Sequence, residues 1–241
     1  MAALGMAFAA IVYLIFFATF LYLIAFVGNF PGIARTVDIG PQAPTLIAVA
    51  GNLGLMALFG VQHSVMARPG FKARWTRVVP RHLERSFYVL AASLALILLF
   101  YLWRPLPNIM WLVTWKPVAL LLRGLFFLGW AVVLISTFLI NHLELFGLRQ
   151  AFAHLRGHDI PAPQFRTPFF YRHVRHPIYL GFLLAFWSTP LMTMGHFLFA
   201  AGMSVYILIG IRQEERDLVK QFGDQYLAYR RKVGKLFPGV H

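Results

Sequence analysis

The chain reads as an all-α polytopic membrane protein with about five to six transmembrane helices, the last two forming a C-terminal helical hairpin. Three observations predict this. Apolar residues make up 59% and charged residues 12% of the 241 residues, far from the balance of soluble domains. Five stretches, 1–34, 39–67, 86–103, 124–143 and 176–211, contain no Asp, Glu, Lys or Arg. Lys and Arg are unevenly divided among the intervals: six in 67–85, five in 141–177 and seven from 212 onward, against Arg35, Arg104 and Lys116 in the opposite loops. Neither a repeat nor a linker interrupts the sequence, so residues 1–241 read as one domain.

A membrane span needs roughly 20 apolar residues. The first four uncharged runs therefore supply one helix each, near 6–28, 45–66, 85–103 and 118–140. The first run is too long for a signal-peptide core and lacks a basic leader, so it is expected to be a retained helix. The last run has room for two shorter helices, near 178–192 and 196–212, with Pro190 and Gly195 about the turn. Between the fourth helix and this hairpin, Leu145, Leu148, Phe152 and Leu155 recur at the spacing of a helix lying in the membrane interface. Pro161, Pro163 and Pro168 then predict an extended crossing. After the hairpin, the last helix is expected to run on through Leu218 and Phe222 and to turn at Gly223-Asp224. A short amphipathic helix with Tyr226, Tyr229 and Val233 follows, able to fold back over the membrane face.

The net charge of +14 is explained by topology. Basic loops stay on the cytoplasmic side, which puts the C-terminus there and, with six spans, the N-terminus as well. The expected location is a bacterial inner membrane. The basic loops then face anionic lipids, and neither nucleic acid nor an obligate protein partner is expected. Cysteine is absent, which excludes disulfides, cysteine nucleophiles, iron–sulfur clusters and Cys-ligated zinc.

Polar residues that could carry chemistry fall in few places. Tyr171-Arg172-His173-Val174-Arg175-His176-Pro177-Ile178-Tyr179 sits where the polar loop meets the hairpin, and Arg212-Gln213-Glu214-Glu215-Arg216-Asp217 lies where the hairpin ends. A hairpin returns Glu214 and Glu215 to the face that carries Arg175 and His176. Two such clusters beside apolar helices suit a polar cofactor and an apolar substrate. Arg175 offers a planar fork for a carboxylate. Pro177 is a good first-turn residue, so Arg175 and His176 lie at the mouth of a helix. The same residues also suit an interfacial anchor, and Glu214 and Glu215 can be ion-pair partners of Arg175, ligand acceptors, or both. His63 near the inner end of the second span fits a structural, substrate-site or haem-ligand role. His142 and Glu144 close the fourth span. His154 and His158 have a metal pair's spacing without a further ligand, so no metal site is expected. Arg123 is expected to snorkel to the outer interface.

The order and spacing of two of these segments resemble a known family. Tyr-Arg-x-Val-Arg-His-Pro-x-Tyr-x-Gly from Tyr171, then a hairpin, then Glu214-Glu215-x-x-Leu218-x-x-x-Phe222-Gly223-x-x-Tyr226-x-x-Tyr229, is similar to the isoprenylcysteine carboxyl methyltransferase superfamily of integral membrane enzymes. The likeness covers about 171–238. The front of the chain, with Gln62-His63-Ser64, Glu84-Arg85-Ser86 and the segment Asn141 to Gln150, looks like the methanethiol S-methyltransferase branch. The resemblance implies a cytoplasmic site for S-adenosylmethionine, with S-adenosylhomocysteine as product. It implies that Arg175, His176, Tyr179 and Glu214 hold that cofactor, with Tyr171 and Glu215 as further contacts. It implies a small thiol as acceptor, methanethiol going to dimethyl sulfide. A thiol must lose its proton before it attacks, and a cation nearby favours the thiolate. His63, Arg74, Arg85 and His142 are the candidates, and His63, Arg85 and His142 are the catalytic set expected here. Competing readings are a lipid or isoprenylcysteine acceptor, a haem-binding or nitrogen-oxide-linked membrane protein built on His63 and His142, and a dinucleotide-dependent reductase.

Overall fold

The computed structural model describes residues 2–159 and 164–239. Among them, five helices are long and apolar enough to cross a membrane: α1 (Ala2–Val27), α2 (Thr45–Ala67), α4 (Glu84–Leu102), α5 (Lys116–Ile140) and α9 (Met194–Phe222). Shorter helices are α3 (Pro69–Trp75), α6 (His142–Leu145), α7 (Leu148–Leu155), α8 (Pro177–Trp187) and α10 (Asp224–Lys232), with a 3₁₀ turn at Phe169–Arg172. Two strands, β1 (Ile109–Leu112) and β2 (Leu191–Thr193), pair antiparallel. The all-α polytopic fold is as expected, and the long helices begin and end within a few residues of the sequence reading. Contacts divide the chain into two compact units. One contains α1 to α4, α6, α7 and the first three residues of α9; the other contains β1, α5, α8, β2, α10 and the rest of α9.

In the first unit α4 packs against both α1 and α2, and α7 lies on α1. The apolar run of α1 ends where Asn29 adopts φ +51, a left-handed conformation that Asn tolerates better than most residues. The Asn29 side chain then accepts a hydrogen bond from Thr36 and donates one to Asp38, closing the turn. Buried Asn52 of α2 clamps the end of α4: its Nδ2 donates to the Arg104 carbonyl (2.7 Å) and its Oδ1 accepts from the Arg104 N–H (2.9 Å).

The single interfacial helix expected across Leu145 to Leu155 is instead two, α6 and α7, broken at Gly147. Gly147 has φ +91, and a Cβ there would lie 2.6 Å from Ser86 Oγ and 2.9 Å from Ser86 N. The backbone approaches the start of α4 too closely for any side chain. Of the prolines expected to give an extended crossing, Pro168 is extended, while Pro161 and Pro163 lie outside the described residues.

In the second unit α8 packs against α5 at a pair of glycines. A Cβ on Gly129 would lie 2.6 Å from the Gly181 carbonyl oxygen, and one on Gly181 the same distance from that of Gly129. Small residues let helix backbones approach in this way within membranes. On its other side α8 meets α9 as a hairpin: Phe186 against Phe199 (5.2 Å between centroids), Trp187 Nε1 donating to Ser204 Oγ (3.0 Å), and the Tyr179 hydroxyl beside Gly210. α8 ends at Trp187 and not near residue 192, because Pro190 disfavours helix at Thr189 and Leu191–Thr193 are drawn into β2. Trp111 on β1 donates from Nε1 to the Thr189 carbonyl (3.2 Å).

The glycine contact gives a direct test. Gly129→Ala and Gly181→Ala are each expected to destabilise the detergent-solubilised protein by about 1–3 kcal/mol, read as a lowered melting temperature. Gly124→Ala, with open space around it, is expected to leave the melting temperature unchanged.

Candidate functional site

The hairpin brings the two expected polar clusters together. Pro177 opens α8 with His176 at the cap position, and the long helix α9 carries Glu214 and Glu215 alongside. Arg175 Nε donates to Glu215 Oε1 at 2.7 Å, and His176 Nε2 lies 3.1 Å from the same oxygen. His176 Nδ1 is 3.8 Å from Glu214 Oε2. The guanidinium and Glu215 are almost wholly buried, at 3% and 10% side-chain exposure, whereas Glu214 is 46% exposed. Adjacent positions on the helix therefore differ in role: Glu215 is the ion-pair partner, and Glu214 keeps a solvent-facing carboxylate.

Arg175 also holds the C-terminal segment. Its Nη1 donates to the carbonyls of Arg230 (3.0 Å) and Val233. Its own N–H donates to the Gly234 carbonyl (2.9 Å), and that of His176 to Lys235 (3.2 Å). Val174 and Gly234 form a parallel bridge. The segment after α10 is thus strapped beside the mouth of α8, with the Tyr229 hydroxyl donating to the Tyr171 carbonyl at 2.5 Å. Phe165 packs its ring against Phe222, Tyr226 and Tyr229.

Burial dominates the electrostatics of these phenols. It pushes the Tyr229 hydroxyl up to about 12, with the Glu215 charge adding to the shift and Arg175 opposing it. Burial also raises Tyr226 and Tyr171, helped by Glu215 at the first and Glu214 at the second. All three stay neutral at pH 7. The Tyr226 hydroxyl is buried with no hydrogen-bond partner among the described residues. The Tyr179 ring lies 5.6 Å from that of His176.

The expected acceptor-side residues, His63, Arg85 and His142, all fall in the first unit, where Tyr88 joins His63 to Arg85 and His142 lies on the short helix whose Leu145 carbonyl Arg85 reaches. The Tyr88 hydroxyl is 2.7 Å from His63 Nε2. The Arg85 guanidinium lies over the Tyr88 ring at 4.9 Å, and Arg85 Nε donates to the Leu145 carbonyl at 2.7 Å. On the same short helix, His142 Nε2 is 2.9 Å from the Tyr13 hydroxyl. Burial holds the His142 imidazole below its ordinary range, so it is neutral at pH 7. Phe146 stacks on Phe16 (3.9 Å) and closes the apolar side.

Tyr13 and Tyr88 were not singled out by the sequence. Tyr88 follows Arg85 by one helical turn, a spacing that could have flagged it. Tyr13 sits in an unbroken apolar helix and gives no such signal. Arg74 is exposed. His154 stacks on His82 at 3.6 Å, and among the described residues no group of three or more His, Asp or Glu could hold a metal ion.

No family model and no solved structure matches the chain. Curated relatives do. It is 53% identical over 226 residues to methanethiol S-methyltransferase 1 of Bradyrhizobium diazoefficiens, covering 94% of this chain and 79% of the relative. It is 53% identical over 229 residues to methanethiol S-methyltransferase of Mycobacterium tuberculosis, covering 95% and 93%. A more distant relative is human nurim, 31% identical over 185 residues, covering 72% and 69%. With about half of the aligned positions shared along nearly the whole of this chain in both comparisons, the chain belongs to the methanethiol S-methyltransferase family.

Proposed function

We propose that this membrane enzyme transfers a methyl group from S-adenosylmethionine to methanethiol, giving dimethyl sulfide and S-adenosylhomocysteine. The observation that carries this reading is the 53% identity to bacterial methanethiol S-methyltransferases over almost the entire chain. The polar end of the α8–α9 hairpin supports it. When bound, S-adenosylmethionine supplies a methyl group on a sulfonium, already activated for displacement by a thiolate.

The donor set fits that molecule. Glu214 has an exposed carboxylate suited to ribose hydroxyls. Tyr179 and Tyr171 offer aromatic surface to a cation. Arg175, His176 and Glu215 hold the α8 mouth and the C-terminal strap in place, which makes Arg175 a support more than a direct carboxylate fork, since its Nε and Nη1 already serve protein acceptors. The excess of basic residues in the intervals 67–85, 141–177 and 212 onward supports a cytoplasmic position for this cluster and for both termini, in a bacterial inner membrane.

An alkyl thiol is mostly protonated at neutral pH, by analogy with the cysteine side chain at about 8.5. His63 and His142 are the bases we assign to its deprotonation, and Arg85 is the fixed cation that favours the thiolate. Nε2 of each imidazole faces a tyrosine hydroxyl, an arrangement that supports proton transfer over haem ligation.

The decisive experiment supplies purified protein with S-adenosylmethionine and a panel of methanethiol, longer thiols, amines and prenylcysteines. Dimethyl sulfide in the headspace is expected; methylation of a prenylcysteine alone overturns the acceptor. Glu214→Ala is expected to keep its melting temperature and lose about 1.5–3 kcal/mol of cofactor affinity by calorimetry. Arg175→Ala, which strands buried Glu215, is expected to cost about 3–5 kcal/mol of stability. Unchanged affinity in the first variant removes Glu214 from the site. Neutral His142 also sets a pH dependence. A base held below its ordinary 6.5 is lost only as pH falls further, so the His142 contribution to the acid limb of kcat should lie below pH 6.5 and be absent in His142→Ala.

A further inference from the structure

Tyr88 is placed unlike any other tyrosine among the described residues. It is buried at 7% exposure in an apolar cluster with Val12 and Val89. Its hydroxyl meets the His63 imidazole at 2.7 Å, and a guanidinium covers its ring at 4.9 Å. Each partner is itself fixed. Phe59, one turn along α2, stacks on His63 at 5.2 Å, and Arg85 is pinned by the Leu145 carbonyl. A structural tyrosine needs a hydrogen-bond acceptor and nothing more. Here the acceptor is a base, and a permanent cation stands over the ring where charge would develop if the hydroxyl lost its proton.

We propose that Tyr88 is the proton relay of the thiol methyl transfer, standing between the acceptor sulfur and His63. This rests on the thiol methylation proposed above. The step is a paired shift. The S–H bond breaks, its electron pair stays on sulfur, and its proton passes to the Tyr88 oxygen. The original Tyr88 proton passes to His63 Nε2, which ends as imidazolium while Tyr88 ends unchanged. Arg85 stabilises the phenolate character of the oxygen between the two transfers. Charged and titratable groups near the pair come from several elements. Arg85 comes from α4 itself, and His142 with Tyr13 lies beyond the Leu145 carbonyl. Arg68 of α2 is engaged by the Ser64 carbonyl at 3.1 Å, and Glu144 of α6 by Arg149 at 2.6 Å.

The test is Tyr88→Phe, which keeps the ring and removes the hydroxyl. Dimethyl sulfide formation by the wild type comes first, because its absence sinks the thiol reading and not the relay alone. With that established, Tyr88→Phe should lower kcat at pH 7 by about a hundredfold. The loss should shrink toward high pH, where the thiolate forms unaided, and cofactor affinity should be unchanged. Tyr88→Phe combined with His63→Ala should be no slower than either alone, since both break one route. Should Tyr88→Phe not accumulate, His63→Gln reads the same step, keeping a hydrogen-bond partner for the phenol but no basic nitrogen. A wild-type kcat and pH profile in Tyr88→Phe, additive losses in the double variant, or full activity in His63→Gln each overturn the relay.

Discussion

The ion pair between Arg175 and Glu215 is the joint on which the polar end of the second unit depends. Taking two charges out of water costs several kcal/mol per ion, and a lone pair would not repay that. The repayment here comes from saturation. One Glu215 oxygen receives both Arg175 and His176, while Nη1 of the guanidinium reaches two backbone carbonyls of the C-terminal segment. A single buried cation thereby ties three pieces of chain together: the start of α8, the C-terminal part of α9 and the strap at the end of α10. While Glu215 pairs with Arg175, its neighbour Glu214 keeps a solvent-facing carboxylate 3.8 Å from His176 Nδ1.

The apolar part of each unit supplies rigidity by different means. In the second, two glycines let α5 and α8 touch backbone to backbone, so the helix bearing His176 and Tyr179 has little freedom to slide. In the first, rigidity at the polar end comes from hydrogen bonds that cross between helices: Tyr13 to His142, Tyr88 to His63, Arg85 to the Leu145 carbonyl. Polar groups in such surroundings are held by their partners.

Much of this was legible because charges are scarce in the sequence. With eight acidic residues in the whole chain, Glu214 and Glu215 at the far end of an uncharged run pointed back to Arg175 and His176, and they meet as expected. The long helices were legible for the same reason. What escaped were features whose cause lies far away in the chain. Nothing near Gly147 announces the break between α6 and α7, which is imposed by Ser86. The strands β1 and β2 are short and gain their meaning only from each other. Tyr13 and Tyr88 look like packing residues until the folded helices bring an imidazole to each hydroxyl.

The length of α8 has a consequence for biosynthesis. Its 11 residues rise only about 17 Å at 1.5 Å per residue, short of a hydrocarbon core of about 30 Å. Such a segment cannot be retained in the membrane as a span of its own during translation; it must enter together with α9, as a hairpin docking on α5. Glu215 and Val233, the partners of Arg175, emerge from the ribosome 40 and 58 residues after it. The guanidinium therefore waits uncompensated until the last part of the chain is made, and a nascent chain halted before Val233 carries every long helix yet lacks a finished α8 mouth.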